Sequence, residues 1–199
     1  MDSIDDLDFS KTYTYADYYS WRFEERLELI KGKIFKMSPA PGNAHQEIAL
    51  NIAGELNFFL KNKPCKVYIA PFDVRLVRDE KSDKKVKTVV QPDICVICDP
   101  GKLTDQRGCL GAPDLVVEIL SPGNNRKEIN IKYDLYEEFG VREYWVIYPD
   151  EQSLVRYVLN EAGKFITEGR ALTCGDKITT PILPGFALSL DDVFGTGKV

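Results

Sequence analysis

The chain has 199 residues, of which 44% are hydrophobic and 29% charged, the make-up of a folded globular protein and not of a disordered, fibrous or disulfide-stapled one. The net charge of −5 argues against a surface that is a nucleic-acid clamp throughout, but Asp2, Asp5, Asp6 and Asp8 alone carry −4 of it, so the remainder can still present a local basic face. No run approaches the ~20 apolar residues of a membrane span, and MDSIDDLDFSK lacks the basic start and apolar stretch of a secretory signal, so a cytoplasmic protein with no membrane partner is expected. In a reducing compartment the scattered Cys65, Cys95, Cys98, Cys109 and Cys174 read as small core hydrophobes.

Residues 1–12 are expected to form an acidic flexible leader and 13–199 a single domain. Leu27–Ile30 and Lys33–Lys36 alternate around Lys31-Gly32, the pattern of a tight β-hairpin. After the break at Ser38–Gly42, Asn43 and Gln46 resemble a capping box, and Ile48, Ile52, Leu56 and Phe59 follow at helical spacing, predicting a helix over 44–62. Lys66–Val77 is a strand candidate, Arg78–Lys87 a polar loop, and Val89–Cys98 and Asp114–Leu120 two β-rich runs. Ser121–Asn124 offers a cap for a helix that stops at Gly140, and Glu143–Ile147 is a further strand. Beyond Pro149, Ser153–Leu159 and Lys164–Gly169 read as a second hairpin, and Ile182–Phe194 is turn-rich.

The chemistry concentrates where acids interrupt apolar strands. Glu118 lies inside Leu115–Leu120 and Asp93 inside Val89–Ile97, and a buried carboxylate without a cation or several donors costs several kcal/mol or takes up a proton. Asp114 is a third acid, but four strand residues separate it from Glu118 by about 13 Å, whereas a neighbouring strand brings Asp93 within roughly 5 Å. Asp114 is therefore assigned to the strand's entrance. Two carboxylates with oxygen-only ligation suit Mg²⁺ or Mn²⁺. Lys132 sits in the helical stripe Ile129, Leu135, Tyr136, Phe139 that should face the sheet. Its amine either snorkels to solvent or points at the acid pair, with Lys127 the competitor off the stripe.

Pro92-Asp93 followed by Glu118, between a helix and a crossover helix, resembles the PD-(D/E)xK nuclease superfamily. The strings LELIKGKIFKMSP, QPDICVI, GAPDLVVEILSP and FGVREYWVI, with His45 and the KxxxY of Lys132 and Tyr136, more closely resemble the Uma-type putative restriction endonuclease family over roughly residues 13–194. The resemblance implies an α/β, restriction endonuclease-like mixed sheet with an αβββαβ core, to which the two hairpins are N- and C-terminal additions. It also implies metal ligation by Asp93, Glu118 and the backbone carbonyl of Ile119. The motif lysine two residues after the glutamate is Leu120 here, and in this family the lysine looks to have migrated to the following helix, at Lys132. The family shows a histidine at His45, which could contact phosphate or act as a base, and a glutamate at Glu28, which could be a third acid beside the metal. Outside the resemblance, His45 could merely decorate a helix start and Glu28 a solvated hairpin.

The implied activity is Mg²⁺-dependent hydrolysis of DNA phosphodiester bonds, by a homodimer, since cutting a duplex commonly uses two symmetric sites. A non-catalytic nucleic-acid-binding module that keeps the fold is the alternative, motivated by Leu120 and the acidic charge. A phosphate-binding or metal hydrolase of another kind lacks support, because neither GxxxxGK[ST] nor GxSxG occurs. Cys95 and Cys98, three apart on a strand, face opposite sides and make a poor zinc pair. Arg75–Lys87, with six basic and three acidic residues, could meet a phosphate backbone or be simply solvated.

Overall fold

The computed structural model describes residues 3–37, 42–78, 82–121, 126–167 and 169–195, and of residues 126–128 the backbone alone. A one-turn helix α1 (Tyr15–Tyr18) precedes the hairpin β1 (Leu27–Ile30) and β2 (Lys33–Lys36), paired from Ile30↔Lys33 to Leu27↔Lys36. Its two-residue turn has positive φ at both Lys31 (53°) and Gly32 (81°), and a Cβ at Gly32 would press within 3.1 Å of the Tyr13 carbonyl, which is why glycine stands there. Helix α2 (Asn43–Leu60) buries the stripe Ile48, Ile52, Leu56, Leu60. Its N-cap is Gly42, not Asn43: Asn43 is already helical and no side-chain cap bond forms, so the expected capping box is absent.

Two segments that read as single strands each divide between two sheets. Lys66–Val77 splits into β3 (Lys66–Ile69) and β4 (Val74–Arg75), and Val89–Cys98 into β5 (Val89–Val90) and β6 (Ile94–Ile97). The breaks fall at Pro71 and Pro92, which have no N–H to continue a ladder. After β7 (Cys109–Leu110) come β8 (Leu115–Ile119), helix α3 (Arg126–Phe139), β9 (Glu143–Tyr148), the hairpin β10 (Ser153–Leu159) and β11 (Phe165–Thr167), then β12 (Leu172–Thr173), β13 (Lys177–Thr179), β14 (Ala187–Ser189) and α4 (Leu190–Phe194). The expected Ser121–Asn124 cap falls largely outside the described residues.

Among the described residues the larger sheet runs β11-β10-β9-β8-β6-β3, with β12 beside β10, and the smaller runs β2-β1-β5-β4-β7. Within the larger sheet α2-β3-β6-β8-α3-β9 is the expected αβββαβ order: β3, β6 and β8 pair antiparallel, and α3 carries the chain across to β9, parallel to β8. Alternation along β8 sends Leu115, Val117 and Ile119 toward α2, and Val116 and Glu118 toward α3 and the smaller sheet. The acidic segment before residue 13 buries Ile4 and Leu7 against Tyr13 and Leu27. No helix among the described residues is long and apolar enough to cross a membrane.

The cysteines correct one expectation. Cys95 and Cys109 are buried free thiols, but Cys65 and Cys98 form a disulfide. Antiparallel pairing of β3 with β6, Lys66↔Ile97, sets Cys65 directly opposite Cys98 one step further along the ladder, a juxtaposition set by long-range register.

Candidate active site

The site forms where the chain passes from one sheet to the other. Continuing the register Ile94↔Val117 places Asp93 across from Glu118. Asp93 Oδ2 accepts a 2.7 Å hydrogen bond from the Ile119 backbone N–H, which holds its carboxylate against β8. On its other side His45, in the first turn of α2, brings Nε2 to 3.3 Å from the same oxygen. The other imidazole nitrogen, Nδ1, is buried with no partner among the described residues.

Lys132 points inward, to Glu118 of the expected acid pair and to Glu28. From the second turn of α3 its ammonium lies 2.6 Å from Glu28 Oε1 and 3.1 Å from Glu118 Oε1. Tyr136, one turn further along the same face, donates its hydroxyl to Glu118 Oε1 at 2.6 Å. Glu28, on β1 of the smaller sheet, is buried, so the solvated-hairpin alternative does not hold, and it also accepts the Gln91 backbone N–H at 2.8 Å. Gln91 is anchored in turn: its amide nitrogen donates to Asp73 at 2.9 Å, and its amide oxygen accepts from Arg26 at 2.7 Å. Leu120, at the position of the motif lysine, packs half-buried beside α3, and the ammonium reaches the acids from the helix instead. Lys127 lies outside the described side chains.

Two carboxylates, Glu28 and Glu118, thus share the Lys132 ammonium, and the third, Asp93, is held beside them by the Ile119 N–H and His45. Burial pushes the Glu118 carboxyl up to about 7; Lys132 opposes this, while Asp93 and Glu28 add to it. Burial alone would favour neutral Lys132, but Glu118 and Glu28 outweigh it and hold the ammonium charged. His45 shows the same opposition: burial lowers its basicity, and the hydrogen bond and charge of Asp93, with the Ile119 backbone and the Glu118 charge, together raise it by more. The Tyr136 hydroxyl is driven far up by burial and by the Glu118 charge, so it remains a donor.

An ion could use Asp93, Glu118 and the Ile119 carbonyl, all hard oxygen donors. Among the described residues no group of three or more His, Cys, Asp or Glu is placed to hold a metal. Such an ion would therefore complete its shell with water and substrate oxygens, as Mg²⁺ commonly does. The grouping of three carboxylates about Lys132 and His45 fits a cation at this place.

Other acids and bases have separate duties. Asp114 accepts the Cys98 N–H at 2.8 Å and pairs with Arg142 at 3.1 Å, at the strand entrance. Glu143, an acid without any mark in the sequence pattern, is buried with Trp145 and Thr180 each at 2.6 Å. Arg75 corrects the reading of a solvated or phosphate-facing loop at its first residue: it is fully buried, bidentate to Asp105 at 2.6 and 2.7 Å, with its guanidinium 4.8 Å from the Tyr15 ring centroid. Arg107 closes the group, 2.7 Å from Asp83 and 3.2 Å from Asp105.

Residues 15–191 match the family Uma2, described as putative restriction endonuclease. Among solved structures the chain is similar to a putative nuclease belonging to DUF820 from Anabaena variabilis ATCC 29413, with TM-score 0.67 and 19% identity over 92% of this chain and 98% of that one. At that identity the likeness speaks for the fold. No curated protein matches.

Proposed function

The chain belongs to the Uma2 putative restriction endonuclease family, and on that premise we propose that it is a divalent-metal-dependent endonuclease hydrolysing DNA phosphodiester bonds, acting as a homodimer when both strands are cut. One observation carries the reading: Asp93 and Glu118 oppose each other on paired strands, and Lys132 arrives from the crossover helix to meet Glu118. Asp93, Glu118 and the Ile119 carbonyl would hold Mg²⁺ or Mn²⁺. Such an ion, when bound, polarises a phosphate oxygen and acidifies a bound water.

The chain's own groups do the positioning. Ile119 N–H fixes the Asp93 carboxylate, and Tyr136 and Lys132 fix that of Glu118. Lys132 offers a charged donor that orients the attacking water and offsets negative charge developing on the phosphate. Glu28 holds that ammonium in place, and His45 stands on the far side of Asp93 as a phosphate contact or proton acceptor. Replacing Lys132 with Ala should lower Mn²⁺-supported cleavage of supercoiled DNA roughly 10²-fold or more while leaving Mn²⁺ binding intact. Equal rates in wild type and Lys132→Ala would overturn the assignment. The alternative, a binding module without catalysis, is favoured by Leu120 at the motif position. It would show as wild-type protein that binds Mn²⁺ and DNA but cuts neither linear, supercoiled nor branched DNA.

A further inference from the structure

The carboxylates and ammonium lie recessed: the side chains of Asp93, Glu118 and Lys132 are 22%, 15% and 17% exposed. They share a cavity of about 320 Å³, at the lower end of the roughly 300–1,000 Å³ that small organic ligands occupy. Beside these charged groups the cavity is lined by Phe35, Met37, Ala49, Ala53 and Leu120, side chains that suit a flat apolar face. Two further lining residues, Leu50 and Ile69, are 72% and 57% exposed, large aliphatic side chains left in water at its rim. The exposed cations Arg26 and Lys36 and the exposed amide of Gln46 also line it.

We propose, building on the nuclease reading, that this cavity receives an unpaired nucleobase next to the scissile phosphate, so that the substrate is DNA with a bulge, flap or single-stranded segment and not a continuous duplex. In a stacked duplex each phosphate is carried between bases held in the helix, and the backbone comes within reach of the recessed carboxylates of Asp93 and Glu118 more readily when a nucleotide leaves the stack. A base that does so gains the apolar walls, while Leu50 and Ile69 stand where exposed aliphatic wedges can fill the gap in the stack. Arg26 and Lys36 meet the flanking phosphates, and Gln46 offers a donor and an acceptor to the base edge.

The test compares full-length protein on a continuous duplex and on the same duplex carrying a single-nucleotide bulge, with binding followed by anisotropy in Ca²⁺ and cleavage in Mn²⁺. The bulged DNA should bind about 10-fold or more tighter, in line with base-stacking effects, and any cleavage should fall beside the bulge. Leu50→Ser/Ile69→Ser should bring the ratio toward one, whereas Phe58→Ser, equally exposed on α2 but outside the cavity lining, should preserve it. Equal binding of the two DNAs, or a preference untouched by the double variant, would overturn the inference; duplex cleavage in that case leaves the nuclease reading standing. Preference for the bulge that depends on Leu50 and Ile69, with no cleavage of either DNA, keeps the unpaired base in the cavity but overturns its placement beside a scissile phosphate together with the nuclease reading.

Discussion

Two charged clusters lie buried in this fold, and they are solved in opposite ways. Around Arg75, two guanidiniums meet two carboxylates, Asp83 and Asp105, and Arg75 holds the Asp105 carboxyl down to about 2. Around Lys132, Glu28 and Glu118 meet one ammonium while Asp93 meets His45 beside them, and burial holds Glu118 up to about 7. The first cluster is closed by the Tyr15 ring of α1; the second opens into a cavity. A balanced cluster that has satisfied its own charges fastens loops together. The cluster whose carboxylates line open space is the one proposed to accept a cation and a substrate.

The sharpest way to break the contrast is to remove the central cation of each cluster. Arg75→Ala should destabilise the protein by about 3 kcal/mol, because it leaves Asp105 without its main partner beside a fully buried hole, as a shift in the urea midpoint would show. Lys132→Ala should instead act on the chemistry. Loss of cleavage in Arg75→Ala beyond what unfolding accounts for would blur the distinction.

The pH dependence of stability should then separate the clusters by sign. Asp105 binds its proton more weakly folded than unfolded, so its contribution is present above pH 3.8 and is lost as pH falls toward 2. That contribution should be about 1 to 2 kcal/mol, allowing for its partial exposure. Glu118 binds its proton more tightly when folded, so the metal-free protein should lose stability as pH rises from about 4.5 to about 7. Urea titrations at stepped pH check both: Asp105→Asn should flatten the acid limb and Glu118→Gln the neutral one. Smallest of the effects, Tyr136→Phe removes a hydrogen bond that favours ionised Glu118, and should raise its carboxyl titration, followed by NMR, by about one pH unit.

The residues legible in the sequence are those that violate a local pattern. Glu118 and Asp93 interrupt apolar strands, and Lys132 interrupts an apolar helical stripe, so each demands a partner on the strength of its neighbours alone. The backbone donors that complete the site, Ile119 N–H on Asp93 and Gln91 N–H on Glu28, have no side-chain signature. Arg75 reads as one more cation in a basic loop because its partner Asp105 lies thirty residues on, beyond any local periodicity. The Cys65–Cys98 bond likewise depends on the register of β3 with β6. Pro71 and Pro92 are visible inside their apolar runs, but that they mark a passage between two sheets follows only from the way the sheets assemble. Gly42 in place of Asn43 as helix cap has the same lesson at short range: a one-residue shift in where the ladder starts, Gln46 N–H to Gly42 carbonyl, moves the asparagine inside the helix.

The proposed divalent cation belongs to the acid-rich cluster and not to the balanced one. Anomalous diffraction from crystals soaked in Mn²⁺ tests this directly. The expected map has one peak per chain between the carboxylates of Asp93 and Glu118, absent in Asp93→Asn and retained in Asp105→Asn. Crystals that show no peak at this pair, or a peak that survives Asp93→Asn, would contradict the account.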